Sequence, residues 1–280
     1  MAELLIHFPF RSIIPLALAV LTAGAQPSVI EDSLSSTALH RVIHFRVCLP
    51  PAGEGRYPAI LLLHGFTGDY RNWTDIASVE RYAARDSIII VTTDGDDSWY
   101  VNSLTDTASR FEDCFVGDIL PHLLRTYPAD EGRVGIAGAS MGGFGALVLG
   151  LRHPQRFRFI GAMSASLDIP FGIPDLERNG RGGFRPSLER AFGRDTSQWG
   201  AVTPQSLVRT VDSASMPYLY LVNGIQDEFT LRLTLYRSFV DILRARGLRY
   251  EYHETPGRHS WSYWEREIAP LLMRFRELCR

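Results

Sequence analysis

The stretch Gly138-Ala139-Ser140-Met141-Gly142 decides how this chain is expected to fold. An apolar run at residues 133–137 precedes it, and a helix-forming segment begins directly after it. A strand, a sharp turn and a helix in that order form a nucleophile elbow, which holds a serine on a strained backbone and projects its hydroxyl away from the sheet. Because a chain rich in glycine and serine can match this pattern by chance, the rest of the sequence must support the interpretation.

The composition of the chain is that of an ordinary globular protein. It has 280 residues, of which 45% are hydrophobic and 21% charged, so it can form one substantial core. We expect a single domain over residues 26–280. The formal net charge is -2 and no long run of lysine and arginine occurs. Both observations argue against a nucleic-acid partner, because nucleic-acid phosphates require a positive protein surface.

The N-terminal residues 1–25 differ from the rest of the chain. Arg11 is followed by an apolar stretch over residues 13–21, which leads to the small residues Ala23-Gly24-Ala25. This pattern is typical of a secretory signal peptide cleaved near Ala25, and it predicts export to the periplasm or the exterior. An uncleaved anchor and a packed helix are the alternatives, although the stretch is short for a stable membrane span and contains Pro15.

The cysteines Cys48, Cys114 and Cys279 are odd in number and widely spaced. They match no metal-binding spacing, and none lies in a motif with a base. One disulfide between two of them and free buried thiols are both compatible with the sequence. No other motif indicates a metal or a cofactor, and we expect neither.

After residue 26 the sequence alternates short apolar runs with longer amphipathic segments, which is typical of a mostly parallel sheet with helices on both faces. The pattern predicts strands at residues 40–49, 59–63, 87–93, 133–137, 157–163, 217–222 and 249–254, and helices at residues 73–85, 110–125, 141–152, 231–246 and 261–278. Ser109 and Glu112 have the spacing of a capping box at the start of the second helix.

Residues 167–206 interrupt this alternation, because they show no clear period and include the glycine- and arginine-rich stretch 178–186. A long irregular segment inside a compact domain is often functional. It follows the strand after the elbow helix, so we expect a cap-like insertion over the carboxyl edge of the sheet, where open α/β sheets bind ligands. A solvated loop without substrate contacts is the alternative.

A base and an acid for Ser140 can be found downstream. A serine hydroxyl becomes a nucleophile when a base accepts its proton and an acid orients that base. His259 lies in a Gly/Pro-containing turn before the last predicted helix, and Asp227 directly follows the strand at 217–222. The chain order serine, aspartate, histidine is that of the α/β-hydrolase fold. His253, within a predicted strand, and Glu228, beside Asp227, are the rivals for the two roles.

Attack on a carbonyl group builds negative charge on its oxygen, and fixed backbone N–H groups are the usual stabiliser. Met141, the residue after the nucleophile, supplies one N–H group in this fold. The loop after an early strand supplies the other, and Gly65 and Gly68 allow that loop to turn back over the elbow. We therefore expect the Phe66 amide to be the second donor and His64 to support the loop. An ordinary strand and turn is the alternative interpretation of these residues.

These segments resemble the esterase D-like family of α/β-hydrolases, which includes tributyrin-type esterases, S-formylglutathione hydrolases, feruloyl and acetylxylan esterases, and mycolyltransferases. The likeness covers residues 61–68, 94–102, 138–145 and 223–264, and it is closest to the tributyrin-type esterases. It implies an α/β-hydrolase fold in which Ser140, Asp227 and His259 are nucleophile, acid and base, with oxyanion donors at Phe66 and Met141. It also implies that Trp99, Tyr100 and Trp261 lie near the acyl or alcohol pocket, although large aromatic residues are equally at home in a core.

The sequence therefore predicts a serine carboxylesterase that hydrolyses short-chain, aryl or sugar esters of small molecules through an acyl-enzyme. An acyltransferase of the mycolyltransferase type is one alternative, because it differs only in using an alcohol instead of water as acceptor. A non-catalytic binding protein with a hydrolase fold is another, since a fold alone does not establish activity. No pattern indicates the oligomeric state.

Overall fold

The computed structural model describes residues 28–167, 169, 182–228 and 232–280. The predicted signal peptide lies outside these residues. The strands of the described part are β1 (Ser28–Ser36), β2 (Arg41–Leu49), β3 (Tyr57–Leu63), β4 (Ile89–Thr93), β5 (Ala129–Ala139), β6 (Phe159–Met163), β7 (Tyr218–Gly224) and β8 (Tyr250–Thr255). They form one sheet in the order β1-β2-β4-β3-β5-β6-β7-β8.

The sheet is mostly parallel. Strand β2 pairs antiparallel with β1 and β4, whereas every pair from β4 to β8 is parallel. The central strands β4 and β6 are buried along their whole length, as expected for parallel strands with helices on both faces. The carboxyl ends of β3, β5, β7 and β8 therefore lie along one edge of the sheet, and this edge carries the residues discussed below.

The helices cover both faces of the sheet. They are α1 (Asn72–Asp75), α2 (Glu80–Asp86), α3 (Phe111–Asp113), which continues through a π-helical turn (Cys114–Ile119) into α4 (Leu120–Thr126), α5 (Met141–Arg152), α6 (Arg185–Phe192), α7 (Thr196–Trp199), α8 (Pro204–Thr210), α9 (Arg232–Ala245) and α10 (Trp261–Leu278). Helices α2 and α10 pack on one face with Trp73. The elbow helix α5 packs on the opposite face together with α4, α6 and α9. The predicted α/β-hydrolase architecture is confirmed.

One strand and one helix outside the insertion differ clearly from the sequence prediction. Strand β1 was not predicted, because all of its residues except Ser36 are exposed or only half-buried, and they give a weak alternating pattern. The predicted helix at residues 73–85 is divided into α1 and α2. Between them Ser78 has a φ of 47°, a left-handed conformation that no helix can continue through.

The described part of the 167–206 insertion is helical, which corrects the expectation of an irregular segment. Helices α6 and α7 bury Leu188, Phe192 and Trp199. These short helices escaped detection because each contributes only a few apolar residues, too few to establish a period. Residues 168 and 170–181 lie outside the described part of the chain.

The predicted capping box at Ser109 and Glu112 is wrong. The residue before α3 is Arg110, which makes no side-chain cap, and Glu112 instead binds His153 at 2.9 Å and Arg152 at the end of α5. Burial raises the pKa of the Glu112 carboxyl, but the hydrogen bond from His153 and the charge of Arg152 more than offset burial, so the pKa is lowered. The carboxylate therefore anchors the far end of the elbow helix.

We expect Glu112→Ala to lower the free energy of unfolding by about 1–3 kcal/mol at pH 7, because it removes a buried acceptor from Arg152 and His153. A carboxyl whose pKa is lowered by folding stabilises the protein above its unfolded pKa and loses that contribution as the pH falls through its folded pKa. Urea denaturation of wild type and variant at pH 7 and at pH 4 measures the difference. A difference that stays constant or grows on acidification would contradict this account.

The cysteines Cys48, Cys114 and Cys279 are free and buried, so none of them forms a disulfide. Burial raises the pKa of the Cys114 and Cys279 thiols to about 11 and that of Cys48 to about 12. At neutral pH they are protonated and unreactive. Within the residues that the structure describes, no helix combines the length and the apolar character that a membrane span requires.

Candidate active site

The nucleophile elbow forms where β5 ends and α5 begins. Ser140 lies between them with φ 57° and ψ -116°, a strained backbone conformation for a residue with a side chain. A Cβ atom on Gly142 would lie 2.3 Å from the Leu63 carbonyl oxygen, so only glycine lets the helix pass this close to β3. The Ser140 side chain consequently stands at the carboxyl edge of the sheet, with 8% of the residue exposed.

Ser140, His259 and Asp227 form one chain of hydrogen bonds. The Ser140 hydroxyl is 2.9 Å from His259 Nε2, and His259 Nδ1 is 2.8 Å from Asp227 Oδ2. The Asp227 carboxylate is an acceptor, so His259 carries its proton on Nδ1 and leaves Nε2 free to accept the serine proton. The Asp227 side chain is 1% exposed and that of His259 is 12% exposed. The carboxylate is therefore shielded from water while the imidazole still faces the site.

The loops that carry the acid and the base are joined by their own hydrogen bonds. Gln226 N donates to the Gly257 carbonyl at 3.0 Å, and Gly257 N donates back to Gln226 Oε1 at 2.6 Å. The loops touch so closely that a Cβ atom on Gly224 would lie 2.4 Å from the Gly257 oxygen. These contacts hold together the two loops that carry Asp227 and His259.

The two rival residues, Glu228 and His253, make contacts other than those of an acid and a base. Glu228 accepts a hydrogen bond from the backbone N–H of His259 at 3.3 Å, whereas the imidazole proton goes to Asp227. His253 lies within β8, where its Nε2 is 3.1 Å from Glu251 Oε2 and its ring packs against Tyr220. The geometry therefore favours His259 and Asp227 over both alternatives.

Two backbone amides belong to segments that adjoin Ser140. Met141 is the first residue of α5, so its N–H group has no acceptor within the helix. Phe66 lies in the tight turn Gly65–Gly68, which the hydrogen bond from Gly68 N to the Gly65 carbonyl closes at 3.0 Å. A Cβ atom on Gly65 would lie 3.7 Å from the Ser140 Cβ, so this turn packs directly on the nucleophile. The arrangement suits the stabilisation of a developing oxyanion.

His64 supports this turn from below. Its ring is fully buried, Gly95 N donates to its Nε2 at 3.0 Å, and its Nδ1–H donates to the Gly65 carbonyl at 2.8 Å. The Tyr100 hydroxyl donates to the His64 carbonyl at 2.9 Å. Both ring nitrogens of His64 are occupied by backbone groups, as the predicted supporting role requires.

A cleft of about 410 Å³ opens beside Ser140 and His259. Its apolar walls are the rings of Phe66, Phe184, Trp261 and Trp264. The Phe66 and Phe184 rings lie 4.7 Å apart, and the Trp264 ring stands perpendicular to the His259 imidazole at 5.0 Å. Sequence reasoning missed Phe184 as a wall residue, because it belongs to the insertion and lies in no recognisable motif.

Of the residues predicted to line the pocket, Trp261 does so, but Trp99 and Tyr100 do not. Trp99 is 3% exposed, donates from Nε1 to Ser187 Oγ at 3.1 Å and packs against Phe144. Tyr100 is fully buried. Both residues have left-handed backbones, with φ values of 60° and 59°, and this turn directs their rings into the core beneath the site. Trp99 and Tyr100 are therefore core residues that pack beneath the site and do not line the cleft.

Comparisons with known proteins agree with this geometry. The family model described as "Putative esterase" matches residues 36–275. The acetyl esterase of Caldicellulosiruptor saccharolyticus is 28% identical over 218 residues, covering 75% of this chain and 80% of that protein. The S-formylglutathione hydrolase of Mus musculus is 30% identical over 228 residues, covering 74% of this chain and 77% of that protein.

A solved structure shows the same fold. The S-formylglutathione hydrolase of Agrobacterium tumefaciens superposes with a TM-score of 0.76 at 20% identity, covering 91% of this chain and 96% of that one. The family match spans most of the sequence and includes every residue of the site described above. The chain therefore belongs to the "Putative esterase" family of α/β-hydrolases, as its motifs predicted.

Proposed function

We propose that this protein is a serine carboxylesterase, and the observation that carries the proposal is the continuous hydrogen-bond chain from Ser140 through His259 to Asp227. Ser140 Oγ attacks the ester carbonyl while His259 Nε2 takes the hydroxyl proton. The oxygen becomes an anion facing the amides of Phe66 and Met141. As the carbonyl re-forms, the carbon–oxygen bond to the alcohol breaks and His259 returns the proton to the departing alcohol.

Water then completes the cycle. It loses a proton to His259 and attacks the acyl-enzyme, and the second tetrahedral species collapses to release the acid and regenerate the Ser140 hydroxyl. Asp227 remains ionised throughout, orienting the imidazole and stabilising its positive charge after each proton transfer. The burial of Asp227 strengthens that stabilisation, because water does not screen the pair.

The cleft favours an uncharged ester. Among the described residues that line it, none is a lysine, arginine, aspartate or glutamate. Its walls combine aromatic rings with the neutral polar side chains of Thr67, Asn72 and Ser260. A charged substrate group placed here would lose hydration without gaining an oppositely charged partner from these residues, which is unfavourable. By their names the relatives act on different acyl groups, an acetyl group in one case and the formyl group of the thioester S-formylglutathione in the other. The lack of charged side chains among the described lining residues supports an uncharged ester as the substrate of this chain.

A matched pair of esters tests the proposal. Phenyl acetate and 4-acetoxybenzoate transfer the same acetyl group, and they differ by one carboxylate on the ring of the alcohol. We expect kcat/KM to be at least about tenfold higher for phenyl acetate, which corresponds to about 1.4 kcal/mol of unfavourable charge burial. Equal values, or a preference for the anion, would contradict an uncharged ester as the substrate, and no turnover of either ester would contradict the esterase proposal.

A further inference from the structure

The turn Gly65–Gly68 contains a strained residue. Thr67, its third position, has a φ of 62°, although a β-branched side chain strongly disfavours a left-handed backbone. This φ is that of a type II turn, in which the third position is usually glycine. Rotation of the peptide plane between Phe66 and Thr67 would relieve the strain by giving a type I turn. Something outside the turn must therefore hold that plane.

Both polar atoms of this peptide unit are occupied. Thr67 N donates to Asp97 Oδ1 at 2.7 Å, and the Phe66 carbonyl accepts from Thr67 Oγ1 at 2.7 Å. A hydrogen bond to a carboxylate is about twice as strong as one between neutral groups. The contact from Asp97 comes from outside the turn, so it fixes the plane relative to the rest of the site.

Asp97 lies on a loop that is itself tied to the base of the same turn. Ser98 Oγ donates to the Gly95 carbonyl at 2.5 Å and accepts from Tyr100 N at 3.1 Å, so the loop is closed on itself. Gly95 N and the Tyr100 hydroxyl both bind His64, directly before the turn. The loop and the turn therefore form one hydrogen-bonded unit, and Asp97 is its contact with the strained end of the turn.

We propose that Asp97 is a positioning residue for the oxyanion hole. Its carboxylate holds the Phe66–Thr67 peptide in the type II orientation and ties the strained end of the turn to the loop that carries Asp97. The Phe66 N–H belongs to the preceding peptide of the same turn, so we infer that this tie keeps the whole turn, and the Phe66 N–H with it, packed against Ser140. The effect is geometric, because a negative charge near a developing oxyanion is by itself unfavourable. This inference rests on the proposed function.

The experiment separates geometry from charge. Asp97→Ala removes the acceptor, and we expect kcat for phenyl acetate to fall about 10–100-fold with KM unchanged within about twofold, because only the transition state uses the oxyanion hole. Asp97→Asn keeps an Oδ1 acceptor without the charge, and we expect it to retain kcat within about threefold. Affinity for a trifluoromethyl ketone, which forms a tetrahedral oxyanion on the serine, should fall in Asp97→Ala by the same factor as kcat/KM.

A matched control lies one residue away. Asp96 carries the same charge on the same loop, but its carboxylate pairs with Arg41 at 2.6 Å and does not contact the turn. We expect Asp96→Ala to leave kcat within about twofold of wild type. If Asp97→Ala fails to fold, the double variant Thr67→Gly/Asp97→Ala replaces it, because glycine adopts the left-handed φ without support. Its kcat should then be close to that of Thr67→Gly alone.

Several results would overturn the inference. The first is a wild-type kcat in Asp97→Ala, and the second is a loss of kcat in Asp97→Asn as large as that in Asp97→Ala. The third is a raised KM with unchanged kcat in Asp97→Ala. The fourth is a kcat of the double variant that lies below that of Thr67→Gly by the same factor as Asp97→Ala lies below wild type. If the wild-type enzyme hydrolyses esters and Ser140→Ala does so far more slowly, any of these results refutes the role of Asp97 and leaves the esterase proposal intact. A wild type that turns over no ester refutes both.

Discussion

Ser140→Ala is expected to lower kcat for phenyl acetate by about 10⁴–10⁶-fold, the largest effect of any single substitution in this chain. The variant loses the atom that forms the acyl-enzyme, whereas the flanking amides and the cleft walls are unchanged. Residual turnover above the uncatalysed rate is expected, because binding and oxyanion stabilisation still act on a water molecule. The small change at an elbow position should leave the melting temperature within a few degrees.

Two measurements check this expectation. Steady-state hydrolysis gives the loss in kcat, and labelling with a fluorophosphonate probe followed by peptide mapping identifies the reactive serine. Ser238→Ala, an exposed position on α9, is the matched control and should retain wild-type activity and labelling. Turnover of Ser140→Ala at more than a tenth of the wild-type rate, or labelling at another residue, would refute the assignment of the nucleophile.

Asp227→Asn is expected to lower kcat by about 10³–10⁴-fold with little change in KM. The amide of asparagine can donate to His259 Nδ1, which would move the imidazole proton to Nε2. The ring could then no longer accept the Ser140 proton. The neutral side chain also lacks the negative charge that stabilises the imidazolium. Steady-state kinetics on the purified variant measures the loss.

Glu228→Gln distinguishes the two adjacent carboxylates. Glu228 accepts from the His259 backbone N–H, a contact that the glutamine oxygen can keep, so we expect kcat within about threefold of wild type. The same substitution chemistry on neighbouring residues therefore gives effects that differ by a factor of about 10³. A large loss in Glu228→Gln with a small loss in Asp227→Asn would reverse the assignment of the acid.

The parts of the site that the sequence predicts are those encoded by local signals. Ser140 lies in a motif whose glycines are required by close backbone approach. Asp227 follows a strand with an easily recognised apolar run, and His259 lies in a Gly/Pro-containing turn before the last helix. Parallel strands align their carboxyl ends at one edge, so chain order was sufficient to bring these residues together. The prediction followed from the topology of the sheet and did not require a separate prediction of the contacts among Ser140, His259 and Asp227.

The features that the sequence did not predict depend on long-range contacts or on unusual backbone angles. Trp99 and Tyr100 looked like pocket residues because nothing in their side chains reveals a left-handed turn that directs them inward. Glu112 has the spacing of a helix cap, but its partners His153 and Arg152 become neighbours only when α5 packs beside α3. Phe184 reaches the cleft from an insertion whose path has no periodic signature.

The origin of Phe184 has a consequence for how the substrate range can change. The segment that supplies this wall of the cleft contributes no residue to the hydrogen-bond chain of Ser140, His259 and Asp227 and neither amide at the oxyanion hole. One part of the cleft wall is thus encoded on a stretch of the polypeptide that is separate from the residues of the hydrogen-bond chain. A natural or engineered exchange of the insertion can present a new surface to the acyl or alcohol group, while the geometry that cleaves the bond is passed on unchanged.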